Sequence, residues 1–255
     1  HDPDSGIIDY GYAGVRHANE SNVVLEFLDF YKSTPKATSE LKYLVFDSKF
    51  TNYENLNKIN KEGIKFLTIR RRGKKMVERI DAMPPKAWRT IRVETSGPKK
   101  RALKVLEERT NLPGYEGQIR QIVITGNGKI KPAIIITNDF ELPLEKAVRK
   151  YALRWLVEKT ISEQIEFFHL NRVSSSMVIK VDFDLVLTIL AHNLYRLAAM
   201  DLQEYSHLTS ASLYRKFIRI SAEIQISENT ILVQLYKKRN LPKVPEAMEQ
   251  FENVK

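Results

Sequence analysis

The chain has 255 residues, with 41 Lys plus Arg against 31 Asp plus Glu, a formal charge of +10, and no cysteine. The lack of Cys excludes disulfides and thiolate zinc sites and suits a reducing cytoplasm. No run approaches the ~18 consecutive apolar residues of a membrane span, and no secretory signal is visible, whereas the basic excess suits a polyanionic partner.

Taken in chain order, Gly6-Ile-Ile-Asp-Tyr-Gly-Tyr12 reads as a short strand. An apolar stripe of Val24, Leu25, Phe27, Leu28 and Tyr31 predicts a helix over about 21–31. Lys42–Phe46 is an apolar run with the look of a buried strand, and it ends in Asp47. Thr51 and Glu54 then form a capping-box start for the next helix, which Glu62-Gly63 closes. Ile64–Ile69 is another strand, running straight into Arg70-Arg71-Arg72-Gly73-Lys74-Lys75. Such a cationic run at a strand exit can lie along a nucleic-acid backbone or be a solvated turn.

From about 74 to 139 the pattern is β-rich, with strands expected over Thr90–Thr95, Arg101–Glu107, Gln118–Thr125 and Ala133–Thr137. Gly126-Asn127-Gly128 is a hairpin-turn signal. From Pro143 the chain turns helical, with one helix expected over about 144–170 and another over about 179–203. Ser227–Tyr236 is strand-like and a charged tail follows.

Two segments carry chemistry. Over Tyr151-Ala-Leu-Arg154-Trp155-Leu-Val-Glu158, a continuous helix at about 100° per residue sets Tyr151, Arg154, Glu158, Ser162 and His169 on one side. Leu153, Val157, Ile161, Gln164 and Phe168 fall on a neighbouring, mostly apolar face. That places a carboxylate beside a fixed Arg and Tyr, as holding a metal near a phosphate requires; a surface ion pair on an ordinary amphipathic helix gives the same pattern. Asp47, at the carboxyl end of an α/β strand, stands where such sheets place their ligands, although a turn Asp is the other reading.

Together these segments resemble the DDE transposases of bacterial insertion sequences. That group's signature around its last acidic residue is Tyr-x2-Arg-x3-Glu-x6-Lys. Tyr151, Arg154 and Glu158 match its spacing, Trp155 follows the Arg as it often does there, and Ile165 stands in place of the final Lys. Val45–Leu56 looks like the strand bearing the second catalytic Asp, and Ile165–Ser176 and Ile189–Arg196 also look like this family.

The resemblance implies an α/β fold of the RNase H-like (ribonuclease H/integrase) type: a mixed sheet with flanking helices and a β-rich insertion before the catalytic Glu helix. Its parts fall as residues 1–73 for the first portion of the core, 74–139 for the insertion, 140–205 for the helical portion and 206–255 for a C-terminal extension. The implied activity is metal-dependent cleavage and strand transfer at transposon ends. Asp47 and Glu158 would hold a two-metal Mg²⁺ (or Mn²⁺) site, since carboxylates suit such ions. DNA contacts are expected from Tyr151, Arg154, Trp155, Arg70, Arg71, Arg72, Lys74 and Lys75. Trp88 would stack a flipped base or, in the other reading, fill a core. Because one strand precedes the first helix where this fold has three, the first catalytic Asp is expected upstream of residue 1. This chain alone is then expected to be inert. Asp2 and Asp4 flank a Pro in a turn, and Asp9 is the remaining substitute.

The partners expected are transposon ends and target DNA, with no membrane, in the nucleoid-associated cytoplasm of a bacterium or archaeon. The oligomeric state stays open, a homodimer in a synaptic complex being one arrangement. A non-catalytic DNA-binding relic and an RNase H-like nuclease are the alternatives.

Overall fold

The structure is a computed structural model that describes residues 1–15, 17–34, 41–94, 100–126, 128 and 132–236. It divides into two compact units, Val15–Trp155 and His1–Gly14 with Leu156–Lys255.

The unit Val15–Trp155 is built on strands whose sequences bury both faces. The elements in order are α1 (Val23–Ser33), β1 (Tyr43–Val45), α2 (Tyr53–Lys61), β2 (Lys65–Ile69), α3 (Lys74–Asp81), β3 (Arg89–Glu94), β4 (Lys100–Asn111), β5 (Gln118–Thr125), β6 (Ala133–Thr137) and α4 (Leu144–Ala152). In β6, Ile134, Ile135, Ile136 and Thr137 are all buried, and in β2 Phe66, Leu67 and Thr68 are too. Mostly apolar runs covered on both sides mark central strands of a layered α/β fold. The six strands lie in the order β1-β2-β6-β5-β4-β3, with β1 parallel to β2 and every other pair antiparallel.

Alternation along the strands divides the core. Phe66, Ile119 and Ile136 face α1 and α2, packing on Val24, Leu28, Leu56 and Ile59. Val123 and Ile134 pack with Ile80 of α3 and with Leu106. On the opposite face Leu67, Ile122, Ile124 and Ile135 meet Leu144, Ala147 and Val148 of α4. Each Val, Leu, Ile or Phe side chain among these contributes about 1.5–3 kcal/mol on full burial. The result is a mixed sheet with flanking helices, the expected α/β class.

Several local expectations need correction. Asn52, not Thr51, caps α2: its side-chain oxygen accepts from the backbone N–H groups of Glu54 and Asn55. Thr51 is drawn off to Thr68 Oγ1 (2.6 Å) and the Ile69 carbonyl (3.2 Å). The stretch from 74 opens with a helix, α3, before its four strands. Gly126 and Gly128 both have positive φ, as a tight turn demands, whereas Asn127 and Thr95 lie outside the described residues.

The expected single helix over 144–170 is two. α4 stops at Ala152, and α5 spans Trp155–Glu166. The Arg154 N–H closes a tighter turn on the Tyr151 carbonyl (3.1 Å). The helical projection that aligned Tyr151 and Arg154 with Glu158 therefore does not run through this point.

The unit formed by residues 1–14 and 156–255 contains α5 beyond Trp155, α6 (Val178–Asp201), α7 (Ser210–Leu213) and a hairpin of β7 (Ala222–Ile226) and β8 (Ile231–Leu235). Gln164 is buried in α5 while Val157 and Ile161 are exposed, so the expected apolar face is only partly the core face. Ala199 of α6 packs with Leu213 and Phe217. Residues 6–12 are not a strand. They are held by side chains of α6 instead: Asn193 accepts from the Ile8 N–H (2.9 Å) and donates to the Ile8 carbonyl (3.0 Å). His192 Nε2 lies 3.1 Å from the Gly6 carbonyl, and Arg196 donates to the Ser5 carbonyl. Asp2 forms the expected turn. Burial opposes its charged form, but bonds from the Ser5 hydroxyl and the N–H groups of Asp4 and Ser5 win and hold its carboxyl below the usual value. Among the described residues no helix is long and apolar enough to cross a membrane.

Candidate active site

Parallel pairing of β1 with β2 continues one residue past the strand, where the Phe46 N–H bonds the Leu67 carbonyl (3.1 Å). Asp47 then leaves the sheet in an extended conformation and caps a short 3-10 turn, Ser48–Phe50, its Oδ1 accepting from the Ser48 N–H. The Asp47 carbonyl accepts from the Phe50 N–H (3.1 Å), and the Thr51 and Thr68 hydroxyls lie 3.4 Å from it. Thr68 belongs to β2, so two elements fix the backbone under the carboxylate. The side chain itself is 42% exposed, at the carboxyl edge of the sheet.

The break between α4 and α5 delivers the second group. Arg154 Nη1 lies 3.5 Å from Asp47 Oδ2, and its guanidinium carbon sits 5.9 Å from the centre of the Tyr151 ring. Arg154 is 23% exposed, so it is anchored but reachable. Trp155, next in sequence, is exposed. Tyr151, Arg154 and Asp47 are thus brought together within one compact unit.

Beside them runs a cavity of about 720 Å³, lined by Ser48, Ile69, Arg70, Arg71, Arg72, Gly73, Lys74, Val77 and Glu78. Ser48, the residue after Asp47, lines this cavity together with the basic run. Lys75, the last of the run, is exposed on α3.

The family described as the transposase DDE domain matches residues 1–194. The chain belongs to this family. A search of the curated proteins finds no match. Membership implies transposase function and DNA binding, and the family is generally divalent-metal dependent.

The other expected site residues of the transposase fall as follows. Glu158 is exposed in the first turn of α5, in the unit of residues 156–255, whereas Asp47 belongs to Val15–Trp155. Trp88 is partly buried against the cluster of Ile80, Leu106, Val123 and Ile134, the placement of a core indole. Among the described residues no three His, Asp or Glu side chains stand together as a metal site. The chemistry of the donor set nevertheless fits a hard cation. Asp47 offers an accessible carboxylate, and Mg²⁺ is commonly held by one or two carboxylates while keeping several waters.

Sequence reasoning missed the residues behind the basic cavity. Gln121 of β5 is fully buried and accepts from Arg70 Nη1 (2.6 Å). Its amide donates to Glu108 Oε1 (2.5 Å), and Arg79 forks onto the same carboxylate at 2.5 and 3.0 Å. The hydrogen bond and charge of Arg79 hold the Glu108 carboxyl below its ordinary value against the effect of burial, with Gln121 and Arg70 adding to this. No local motif marks these residues; only strand pairing brings Gln121 and Glu108 opposite each other.

Proposed function

We propose that this transposase cuts phosphodiester bonds at transposon ends and joins the freed 3′-hydroxyl to target DNA, with Asp47 and Glu158 as its metal-holding carboxylates. The observation that carries the reading is the 3.5 Å approach of Arg154 to Asp47 at the carboxyl end of β1, with Tyr151 alongside. A guanidinium there serves a phosphate: two of its N–H groups can grip one phosphoryl group in a fixed fork, which orients the reacting phosphorus. The Tyr151 phenol can donate to the same phosphate or pack on the adjoining sugar. In the first step a water oxygen bonds to phosphorus as the P–O bond to the leaving oxygen breaks, leaving a 3′-hydroxyl. In the second, that hydroxyl bonds to a target phosphorus and displaces a target 3′-oxygen. Bound divalent ions would supply the charge that stabilises the attacking and leaving oxygens.

The subgroup signature supports the residue roles: Tyr151, Arg154 and Glu158 keep its spacing, while Ile165 stands in place of its Lys. The test is Mg²⁺-dependent cleavage and joining of a transposon-end duplex by the full-length protein as wild type, Asp47→Ala and Glu158→Ala. Both variants should lose cleavage while retaining DNA affinity, because Lys/Arg–phosphate contacts carry binding. Cleavage at the wild-type rate by either variant contradicts the assignment. Cleavage without joining by the wild type makes the protein a nuclease instead.

A further inference from the structure

Three arginines follow β2, but they are not equivalent. Arg71 and Arg72 are exposed, whereas Arg70 is half-buried, with its backbone N–H tied to the Ile134 carbonyl (2.8 Å) and its guanidinium to Gln121. Gln121 is a fully buried amide within the run Gln-Ile-Arg-Gln-Ile-Val-Ile-Thr of β5. A buried amide is costly unless paired at both ends, and here it is. The polarity of the chain is fixed. Arg70 can only donate, so Gln121 Oε1 faces it; ionised Glu108 can only accept, so Gln121 Nε2 faces that. Arg79 closes the relay from α3. Arg70, at the front of the relay, is one of the residues lining the cavity beside Ser48, together with three further cations and one carboxylate.

We propose that Gln121, backed by Glu108 and Arg79, is a positioning residue that holds Arg70 in place to grip a backbone phosphate of a DNA strand seated in this cavity. The inference rests on the DNA-processing reading above and adds which cation does the gripping and what orients it. A guanidinium already held loses little freedom on meeting a phosphate, whereas Arg71 and Arg72 must be ordered first. The relay also explains why β5, whose buried Ile and Val residues are accompanied by the paired Arg120, carries a buried amide: replacing it with an apolar residue would fill the space and release Arg70.

The experiment is a salt-dependent anisotropy titration of one fixed DNA duplex with residues 1–255, as wild type, Arg70→Ala, Arg71→Ala, Gln121→Leu and the Arg70→Ala/Gln121→Leu double variant. Arg70→Ala and Gln121→Leu should each weaken binding about tenfold, the scale of one charge-assisted hydrogen bond. Each should also flatten the log–log salt slope by about 0.9, the loss of one phosphate contact. The double variant should bind no more weakly than Arg70→Ala alone, and Arg71→Ala should change affinity less. Wild-type affinity in Gln121→Leu, or additive losses in the double variant, overturns the positioning role. Should Gln121→Leu fail to fold, Arg70→Ala and Arg70→Lys decide: both must weaken binding, since Lys cannot take up the fork, and wild-type affinity in Arg70→Ala overturns the proposal. If the wild type binds no duplex, the DNA reading falls and takes the inference with it. Binding indifferent to Arg70 sinks the inference alone.

Discussion

Arg154 reaches across from the break between α4 and α5 to within 3.5 Å of the Asp47 carboxylate at the end of β1. A continuous helix through 153 and 154 would give Arg154 a different exit, so the interruption and the contact belong together. The pair is partly solvated on both sides, and such pairs contribute about 0–1 kcal/mol to stability. Arg154→Ala should therefore shift the melting temperature little. Its effect should appear in binding to transposon ends, weakened by ~1–3 kcal/mol, as loss of a charge-assisted hydrogen bond predicts. Parallel melting curves and titrations at fixed salt check this; a large loss of stability with unchanged affinity would make the pair purely architectural.

Arg120 should behave in the opposite way. It is 4% exposed, donates from Nε to Glu107 (2.8 Å), and from Nη1 to the carbonyls of Asp139 (3.1 Å) and Leu142 (2.5 Å). Arg120→Met removes the cation and strands two carbonyls. The expected cost is about 3 kcal/mol, near the lower end for a broken buried pair because Glu107 remains partly solvated. Urea unfolding measures it; a loss under about 1 kcal/mol would show that the loop at 139–142 finds other donors.

The alkaline limb of stability should report on Tyr43. Burial, then the neighbouring Asp139 charge, pushes its phenol up to about 12 from the ordinary 10.0. The folded state thus holds the proton more tightly than the unfolded chain. The contribution is fully present below pH 10.0 and is lost as pH rises from there through about 12. Tyr43→Phe should flatten that loss, but Tyr115 and Tyr195, also raised by burial, leave part of it. Unfolding free energies at pH 9 to 12 in both proteins decide the matter, and superimposable curves would refute it.

At the acid end Glu108 has the reverse sign. Its carboxyl is lowered from 4.5, first by the hydrogen bond from Arg79, so the unfolded chain binds the proton more tightly. Its stabilisation is present above pH 4.5 and is lost as pH falls through the lowered value. Glu108→Gln should be less stable at neutral pH and show a shallower acid limb, measured by melting temperature between pH 2 and 7. An unchanged acid limb would remove Glu108 from the account of acid unfolding.

Where burial on both faces dictated composition, the sequence was legible. β2, β5 and β6 follow their apolar runs closely, and the strand-end Asp47 lies at the sheet's carboxyl edge as its position after Lys42–Phe46 implied. The Tyr151–Arg154 pair was legible as a motif, but its setting was not: neither Gly nor Pro marks the helix break at 153–154. Gly6–Tyr12 carries adjacent isoleucines that read as a strand, yet Ile8 bonds to the Asn193 side chain of α6, which no local pattern reveals. The cap of α2 moved by one residue because Thr51 found a tertiary partner in Thr68. The relay behind Arg70 was silent for a similar reason, since β4 and β5 must pair before Glu108 meets Gln121.

The amide of Asn193 offers Ile8 one donor and one acceptor, as a neighbouring backbone would. A strand is released only by unzipping a ladder, bond after bond. Residues 1–14 are joined to the helices of their unit instead by a few discrete side-chain contacts. In hydrogen exchange the Ile8 amide should therefore lose its proton through a small local opening, at a free energy well below that of global unfolding. Asn193→Leu should bring its exchange close to the free-peptide rate while the amides in the middle of β5 and β6 keep their full protection.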